Sequence, residues 1–240
     1  MTGKQAVMRE NDGQDVFRAF ADENDRDKIE GLLAAGLVKT GTLILMERDI
    51  DSFTGFENAS GNEPGTVAFD RLGGDASGRS ENSAEVEFYD VDKYGLSEYI
   101  EANRSGFTGG TGGEVPGGQA SGAGTAGGAT SESTIREELS YKNSAIYVLR
   151  VDGKIVSSVT VWDHDDETVC TENIFTIPGY RNRHFATHVL KTALADAMSR
   201  GMVKARLTVY AGNDIAVSMY QKLGYVRTKS IIEFGTDPVS

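Results

Sequence analysis

The second half of the chain is written in apolar runs of two different periods. Ala145 to Val151 (AIYVLRV) and Lys154 to Trp162 (KIVSSVTVW) are β-branched runs that favour extended backbone. Asp152-Gly153 between them suits a tight hairpin turn. An acidic turn, Asp163 to Glu167 (DHDDE), leads to a third strand, Thr168 to Ile177, which Pro178-Gly179 ends. From Arg183 to Arg200 the period lengthens. Phe185, Val189, Leu190, Ala193, Leu194, Ala197 and Met198 recur at spacings of three and four, the stripe of a helix buried on one side. Gly201 can cap it. Lys204 to Tyr210 is another strand. Asn213 can N-cap a short helix with Ala216, Met219, Tyr220 and Leu223 inward, Gly224 stops it, and Tyr225 to Phe234 returns as a strand. The order β-β-β-α-β-α-β implies an α/β fold of the α+β kind, a mixed sheet with helices packed on it.

The first half is less regular. Ala84 to Tyr89 predicts a strand, Val91 to Asn103 a helix, and Ser133 to Lys142 a short helix carrying Ile135 and Leu139. Asp15 to Ala35 predicts a helix with Val16, Phe20, Ile29, Leu32 and Leu33 as apolar positions. Gly36 would close it, and Thr42 to Met46 (TLILM) would be a buried strand. Phe53 to Ser83 is rich in Gly, Asn, Ser and Asp and reads as loop. Ser105 to Ser133 is almost all Gly, Ser, Thr and Ala, with too little apolar surface to offset its ordering entropy; a flexible insertion is expected there. The chain thus divides into an N-terminal segment, 1–83, and a domain, 84–240, interrupted at 105–133.

Charge and cysteine usage narrow the function. A formal charge of −12 over 240 residues excludes a phosphate-backbone partner, which needs a basic face, and suits a cationic acceptor. Cys170 is the only cysteine, so no intrachain disulfide forms. Met1 to Glu10 has no apolar signal core, and no apolar run approaches the ~18 residues of a membrane span. A cytoplasmic location is the default expectation.

Two segments carry candidate chemistry. In TIPGYRNRHFATHVL, Thr176 to Leu190, a strand stops and a helix starts at once. The unpaired N–H groups of that first turn and the helix dipole make an anion site. Arg181, Arg183 and His184 crowd the same end, where cations are unfavourable by up to ~1 kcal/mol each unless an anion is bound. In NDIAVSMYQKLGY, Asn213 to Tyr225, the residues Asn213, Ala216 and Tyr220 share one helical face. His184 and His188 stand i, i+4 like half a metal site, but no third ligand is near, so no metal is expected. Cys170, inside a strand, reads as a small core residue.

Together the two segments resemble the GNAT superfamily of acyl-CoA-dependent N-acyltransferases. Pro178, Arg181 and Ala186 match its cofactor motif, roughly P-x-x-R/Q-x-x-G-x-G/A. Asn213, Ala216, Tyr220, Gly224 and Tyr225 match its later motif, N-x-x-A-x-x-x-Y followed by G-F/Y. The resemblance covers about Ala84 to Phe234, with a weaker likeness of Asp15 to Asp49 to a truncated N-terminal lobe. His184 stands where the family usually has its first loop glycine; it can offer its N–H there if its φ stays negative.

The resemblance implies acetyl-CoA as co-substrate and an amine, small molecule or peptide, as acceptor; a homodimer is compatible with it. The pantetheine arm would pair with the backbone around Ile174, Phe175 and Thr176. The pyrophosphate would lie on the amides of Arg181, Asn182, Arg183, His184, Phe185, Ala186 and Thr187, with Asn213 and Ala216 completing the cofactor side. Tyr220 would donate to the leaving thiolate. A phenol near pKa 10 and a thiol near 8.5 differ by about 2 kcal/mol, so Tyr220 assists departure without being indispensable. Glu172 is the carboxylate best placed to act as base, and strict alternation puts it on the strand face of Ile174 and Thr176. A non-catalytic acyl-CoA-binding module of the same fold is the competing reading.

Overall fold

The protein was analysed as a computed structural model describing residues 6–9, 15–51, 84–107 and 132–236. The loop expected at Phe53 to Ser83 and the centre of the Gly-rich stretch lie outside the described residues. The N-terminal segment supplies β1 (Ala6–Arg9), β2 (Asp15–Asp22), α1 (Arg26–Ala34) and β3 (Val38–Asp49). Then come β4 (Glu85–Phe88), α2 (Val91–Tyr94), α3 (Ser97–Phe107) and α4 (Glu132–Glu138). The remainder is β5 (Ala145–Val151), β6 (Lys154–Asp163), β7 (Thr168–Thr176), α5 (Phe185–Ser199), β8 (Lys204–Tyr210), α6 (Asp214–Lys222) and β9 (Val226–Gly235).

The strands form one nine-stranded sheet in the order β1-β2-β9-β3-β8-β7-β6-β5-β4. Neighbours are antiparallel except β7 and β8, which are parallel and joined through α5. The hairpin between β5 and β6 turns on Asp152 (φ +54°) and Gly153 (φ +76°), the double positive-φ turn that the dipeptide implies. The mixed sheet and the C-terminal order of elements are those expected from the periodicities.

The N-terminal segment departs from expectation. Asp15 to Ala35 is a strand followed by a helix. Ala19 and Ala21 are small enough to satisfy either period, and pairing of β2 with β9, from Arg18↔Gly235 to Asp22↔Ile231, decides for strand. Asp25 then caps α1 by accepting from the Lys28 amide at 3.1 Å. Ala19, Ala21, Leu37 and Phe234 make a small core at this end of the sheet. Beside it Arg18 and Glu233, both buried, pair at 2.9 Å, and the Tyr210 hydroxyl donates to the same carboxylate at 3.1 Å. The helix expected over Val91 to Asn103 is broken at Gly95 (φ +70°), whose carbonyl accepts from the Tyr89 hydroxyl, and α3 continues to Phe107.

The main core lies around β5 to β7. Every residue of β6 from Ile155 to Val161 is buried, because α3 and α5 cover both faces of the sheet there. Tyr99 of α3 marks one face: its hydroxyl lies 3.2 Å from Thr160 Oγ1 and its ring 6.0 Å from that of Phe175. Val189, Leu190, Ala193 and Leu194 of α5 are fully buried in the same core, as the three–four stripe requires.

Gly106 lets α3 close on β7. A Cβ added there would lie 2.4 Å from Phe175 Cδ2 and 2.8 Å from its Cβ, so a rotation of the ring alone cannot relieve the clash. Alanine would gain up to ~1 kcal/mol of helix propensity, against about 1–3 kcal/mol for overpacking. Gly106→Ala is therefore expected to lower the denaturation midpoint, with a net loss of about 1 kcal/mol; an unchanged or raised midpoint would show that α3 is not seated on Phe175.

Candidate active site

The site begins where two parallel strands separate. β7 and β8 pair only from Thr168↔Lys204 to Cys170↔Arg206. Beyond that point β7 stays with β6 but carries an extra residue: Thr160↔Glu172 and Ser158↔Phe175 span two steps on β6 and three on β7. Asn173 takes up the extra step with φ +49°, one of the few non-glycine residues for which that conformation is common. A bulge bends its strand and increases the local twist, which here accompanies the divergence from β8. Between the strands lies a cleft of about 10 Å³, lined by Thr171 to Ile174, by Leu207 and Thr208, and by Tyr220. That is room for roughly one water molecule.

The bulge overturns one expectation. Residues directly opposite across a ladder share a face, so Glu172 shares the face of Thr160 and Phe175, whereas Thr176 shares that of Ser157. Strict alternation fails because an extra residue resets the period. Glu172 therefore faces the α3 side, with Tyr99, and not the side of Thr176.

Tyr220 reaches the cleft because α6 is fixed at both ends. Asn213 Oδ1 accepts from the Ala216 amide at 3.2 Å, so these two residues cap the helix with each other. At the other end Arg48 of β3 donates to the Leu223 carbonyl and lies 5.9 Å from the centre of the Tyr225 ring. Tyr220 is 3% exposed, and burial alone pushes its hydroxyl well above the ordinary phenol range. It stays a neutral donor at every working pH.

Glu172 is raised above the usual carboxylate range by burial; the Trp162 indole eases this without forming a hydrogen bond of ordinary geometry. A second carboxylate lies beside it. Glu138 of α4, 5% exposed, accepts from Asn173 Nδ2. Burial first, then the charge of Glu172, pushes it up to about 8, with the Asn173 bond opposing. Cys170, at the last parallel rung, is also pushed up to about 12 by burial, so its thiol is protonated and inert.

The loop before α5 has left-handed residues at Gly179 (φ +83°), Asn182 (φ +63°) and His184 (φ +60°, ψ +15°). Asn182 and His184 flank Arg183, whose φ is not positive; such alternation of hand turns successive N–H groups toward a common anion. The condition of negative φ at His184 is not met, because the residue adopts the backbone form a glycine would take. His184 is also the N-cap of α5, with no side-chain cap bond, and the first turn carries no acidic residue. The amides of Ala186 and Thr187 have no acceptor within the helix. Arg183 and His184 are exposed, Arg183 lying 5.5 Å from the centre of the Tyr180 ring. Arg181 is different: its Nε donates to the Thr176 carbonyl at 3.0 Å and its Nη2 to the Gly106 carbonyl at 2.8 Å, tying the loop to β7 and α3. The Phe185 ring is core, and Ile174 lines the cleft.

Residues 124–225 match the sequence profile of the GNAT acetyltransferase family. The likeness to that family covers less than half of the chain. Over 104 residues it is 28% identical to an acetyltransferase of Sodalis glossinidius, covering 43% of this chain and 72% of that one. An acetyltransferase of Yersinia pestis is 29% identical over 101 residues, covering 42% and 71%. Solved structures show the same fold. A GNAT-family protein of Novosphingobium aromaticivorans superposes with TM-score 0.50 at 17% identity, covering 83% of this chain and 65% of that one. An N-acetyltransferase of Sphaerobacter thermophilus superposes with TM-score 0.55 at 12% identity, covering 91% and 58%. This chain therefore spans about two thirds or less of those two structures.

The structure brings Tyr220, Glu172 and Ile174 to one cleft and sets the 182–187 loop on the same β7–α5 unit. It adds Glu138 and Arg48, which sequence reasoning missed. Glu138 sits in a polar helix, EST-I-REE, whose pattern gives no sign of which Glu turns inward. Arg48 closes a long-range contact. Among the described residues no three His, Cys, Asp or Glu are grouped to hold a metal, and no helix is long and apolar enough to cross a membrane.

A histidine in the left-handed region costs roughly 1 kcal/mol, part of which glycine returns through unfolded-chain entropy. His184→Gly is expected to raise stability by up to about 1 kcal/mol in denaturant titration. A clear loss of stability would mean that the imidazole holds the loop.

Proposed function

We propose that this protein is an N-acetyltransferase that moves an acetyl group from acetyl-CoA to a primary amine. The observation that carries the reading is the parting of β7 and β8 after Cys170↔Arg206, with Tyr220 and Glu172 lining the gap. The residues fit the co-substrate. Past the parting, β7 pairs only with β6 among the described residues, which leaves one edge at Ile174 to Thr176 for a pantetheine arm. The left-handed loop and the first turn of α5 direct amides to a pyrophosphate, for which Arg183 and His184 are exposed cations. Asn213 and Ala216 support this side by capping α6.

When bound, acetyl-CoA supplies an activated carbonyl and a thiolate leaving group. Tyr220, held neutral by burial, donates a hydrogen bond to the departing sulfur. Its raised pKa makes complete proton transfer unfavourable, so it acts by hydrogen bonding. Glu172 takes the proton of the acceptor amine. The acidic surroundings of the cleft, Glu172 with Glu138 behind it, attract an ammonium group. We place the enzyme in the cytoplasm, with a small-molecule or peptide acceptor and with a homodimer as a compatible assembly.

Tyr220→Phe keeps the ring and removes the donor. It is expected to lower kcat about 10²-fold in a thiol-release assay over an amine panel, with acetyl-CoA binding retained. Unchanged turnover would remove Tyr220 from the chemistry. Acetyl-CoA binding without thiol release from any amine would favour a binding module over an enzyme.

The pH dependence follows from Glu172. Its folded pKa is raised, so the active carboxylate is lost, as pH falls, at a higher pH than for an ordinary Glu. In the intact protein kcat/KM should fall on the acid side with a midpoint above the usual 4.5 of a free Glu. Glu172→Gln should abolish that limb and lower kcat/KM about 10²-fold at neutral pH; a variant with the same profile would exclude Glu172 as base.

A further inference from the structure

Glu138 takes or gives no proton in the chemistry above, yet it is a buried carboxylate. It ends α4 and is 5% exposed, at the helix end where the dipole disfavours negative charge. Its hydrogen-bond partner is the Asn173 amide, on the left-handed residue of the β7 bulge. Asn173 and its neighbour Glu172 both line the cleft that holds Tyr220. One hydrogen bond thus separates Glu138 from the cleft, and the charge of Glu172 acts on it directly. Among the described residues neither carboxylate has an ion-pair partner; on β8, the Arg206 guanidinium is held by Glu47 at 2.6 Å.

We propose that Glu138 is a positioning residue acting through Asn173 on Glu172, and that the two buried carboxylates titrate as a coupled pair in which ionisation of Glu138 makes Glu172 the stronger acceptor for the proton of a cationic amine. The inference rests on the reading of Glu172 as base. Two buried carboxylates joined through one hydrogen-bonded neighbour resist ionising together, so the pair holds a proton well above the range of a lone Glu. The doubly ionised pair is the stronger base. The acceptor ammonium loses one N–H proton to the pair, and its freed lone pair forms the C–N bond as the C–S bond breaks. The thiolate departs on the Tyr220 hydrogen bond and takes up the second proton that the attacking nitrogen sheds. The pair returns its own proton to water.

The groups that face the pair are Glu137 on α4, Tyr99 on α3, Tyr141 after α4, Trp162 on β6 and Cys170 on β7. Of these, Glu137 shares the sign of the pair and the others are neutral near pH 8, so no described neighbour reverses the direction. Glu138 is pushed up to about 8. Below that pH Glu138 holds its proton; above it the proton is lost.

The test uses the full chain with Glu138→Gln, in which Gln can still accept from Asn173. In the intact protein kcat/KM should rise with pH about a midpoint near 8; in the variant the acid limb should move down by about one pH unit or more. A merely structural Glu138 would scale the whole profile without moving the limb, and that result would overturn the proposal. Infrared titration of the carboxyl band gives a reading independent of turnover. One carboxyl should titrate near pH 8 in the intact protein and be missing from Glu138→Gln. Its absence from the intact protein would also overturn the proposal. Calorimetric titration of the same proteins with acetyl-CoA separates the two readings: no binding or turnover by the intact protein defeats the acetyltransferase assignment, while the infrared result still decides the coupled titration.

Discussion

The extra residue in β7 is the constraint on which the site depends. Asn173 occupies the left-handed region where the ladder to β6 has one residue too many, and next to it the parallel pairing with β8 has already ended. A regular β7 would continue beside β8 and leave its backbone groups paired on both edges. The bulge instead opens the edge, turns Glu172 to the α3 face, and presents the Asn173 amide to Glu138. The mixed sheet around it is built to hold that irregularity in place. α3 seats on Phe175 at Gly106, Arg181 ties the end of β7 to the end of α3, and α5 covers the sheet as the crossover to β8.

The electrostatics follow from the same geometry. The loop before α5 gathers left-handed turns, the start of a helix and exposed cations at one end of β7. The bulge gathers buried carboxylates a few residues earlier. On the proposed function, an anionic cofactor tail and a cationic acceptor would be drawn to opposite ends of a short strand segment, with Tyr220 on the cleft lined by β7. In a chain of net charge −12 the cationic loop is the local exception.

What was legible in the sequence followed the strength of the period. β5 to β9, α5 and α6 were readable because their apolar spacing admits one structure each, and Asp152-Gly153 and Asn213 mark their turn and cap chemically. β2 was misread because Ala19 and Ala21 fit either period and only pairing with β9 separates them. The break at Gly95 depends on a left-handed backbone that Gly permits but does not announce. At the site, the motif residues pointed to segments that the fold brings around one cleft. The face of Glu172 was lost because alternation cannot see a bulge, although an Asn within a β-branched strand is a weak sign of one. Glu138 and Arg48 act across 35 and 175 positions, and no local pattern reports such contacts.

The central claim is that the gap between β7 and β8 receives the thioester of acetyl-CoA. A crystal structure of the full chain with acetyl-CoA tests it most directly. The account predicts the pantetheine arm along β7 at Ile174 to Thr176, the pyrophosphate on the 182–187 amides, and the sulfur within hydrogen-bond reach of the Tyr220 hydroxyl. A cofactor bound elsewhere, or a β7 edge left empty at saturating acetyl-CoA, would contradict it.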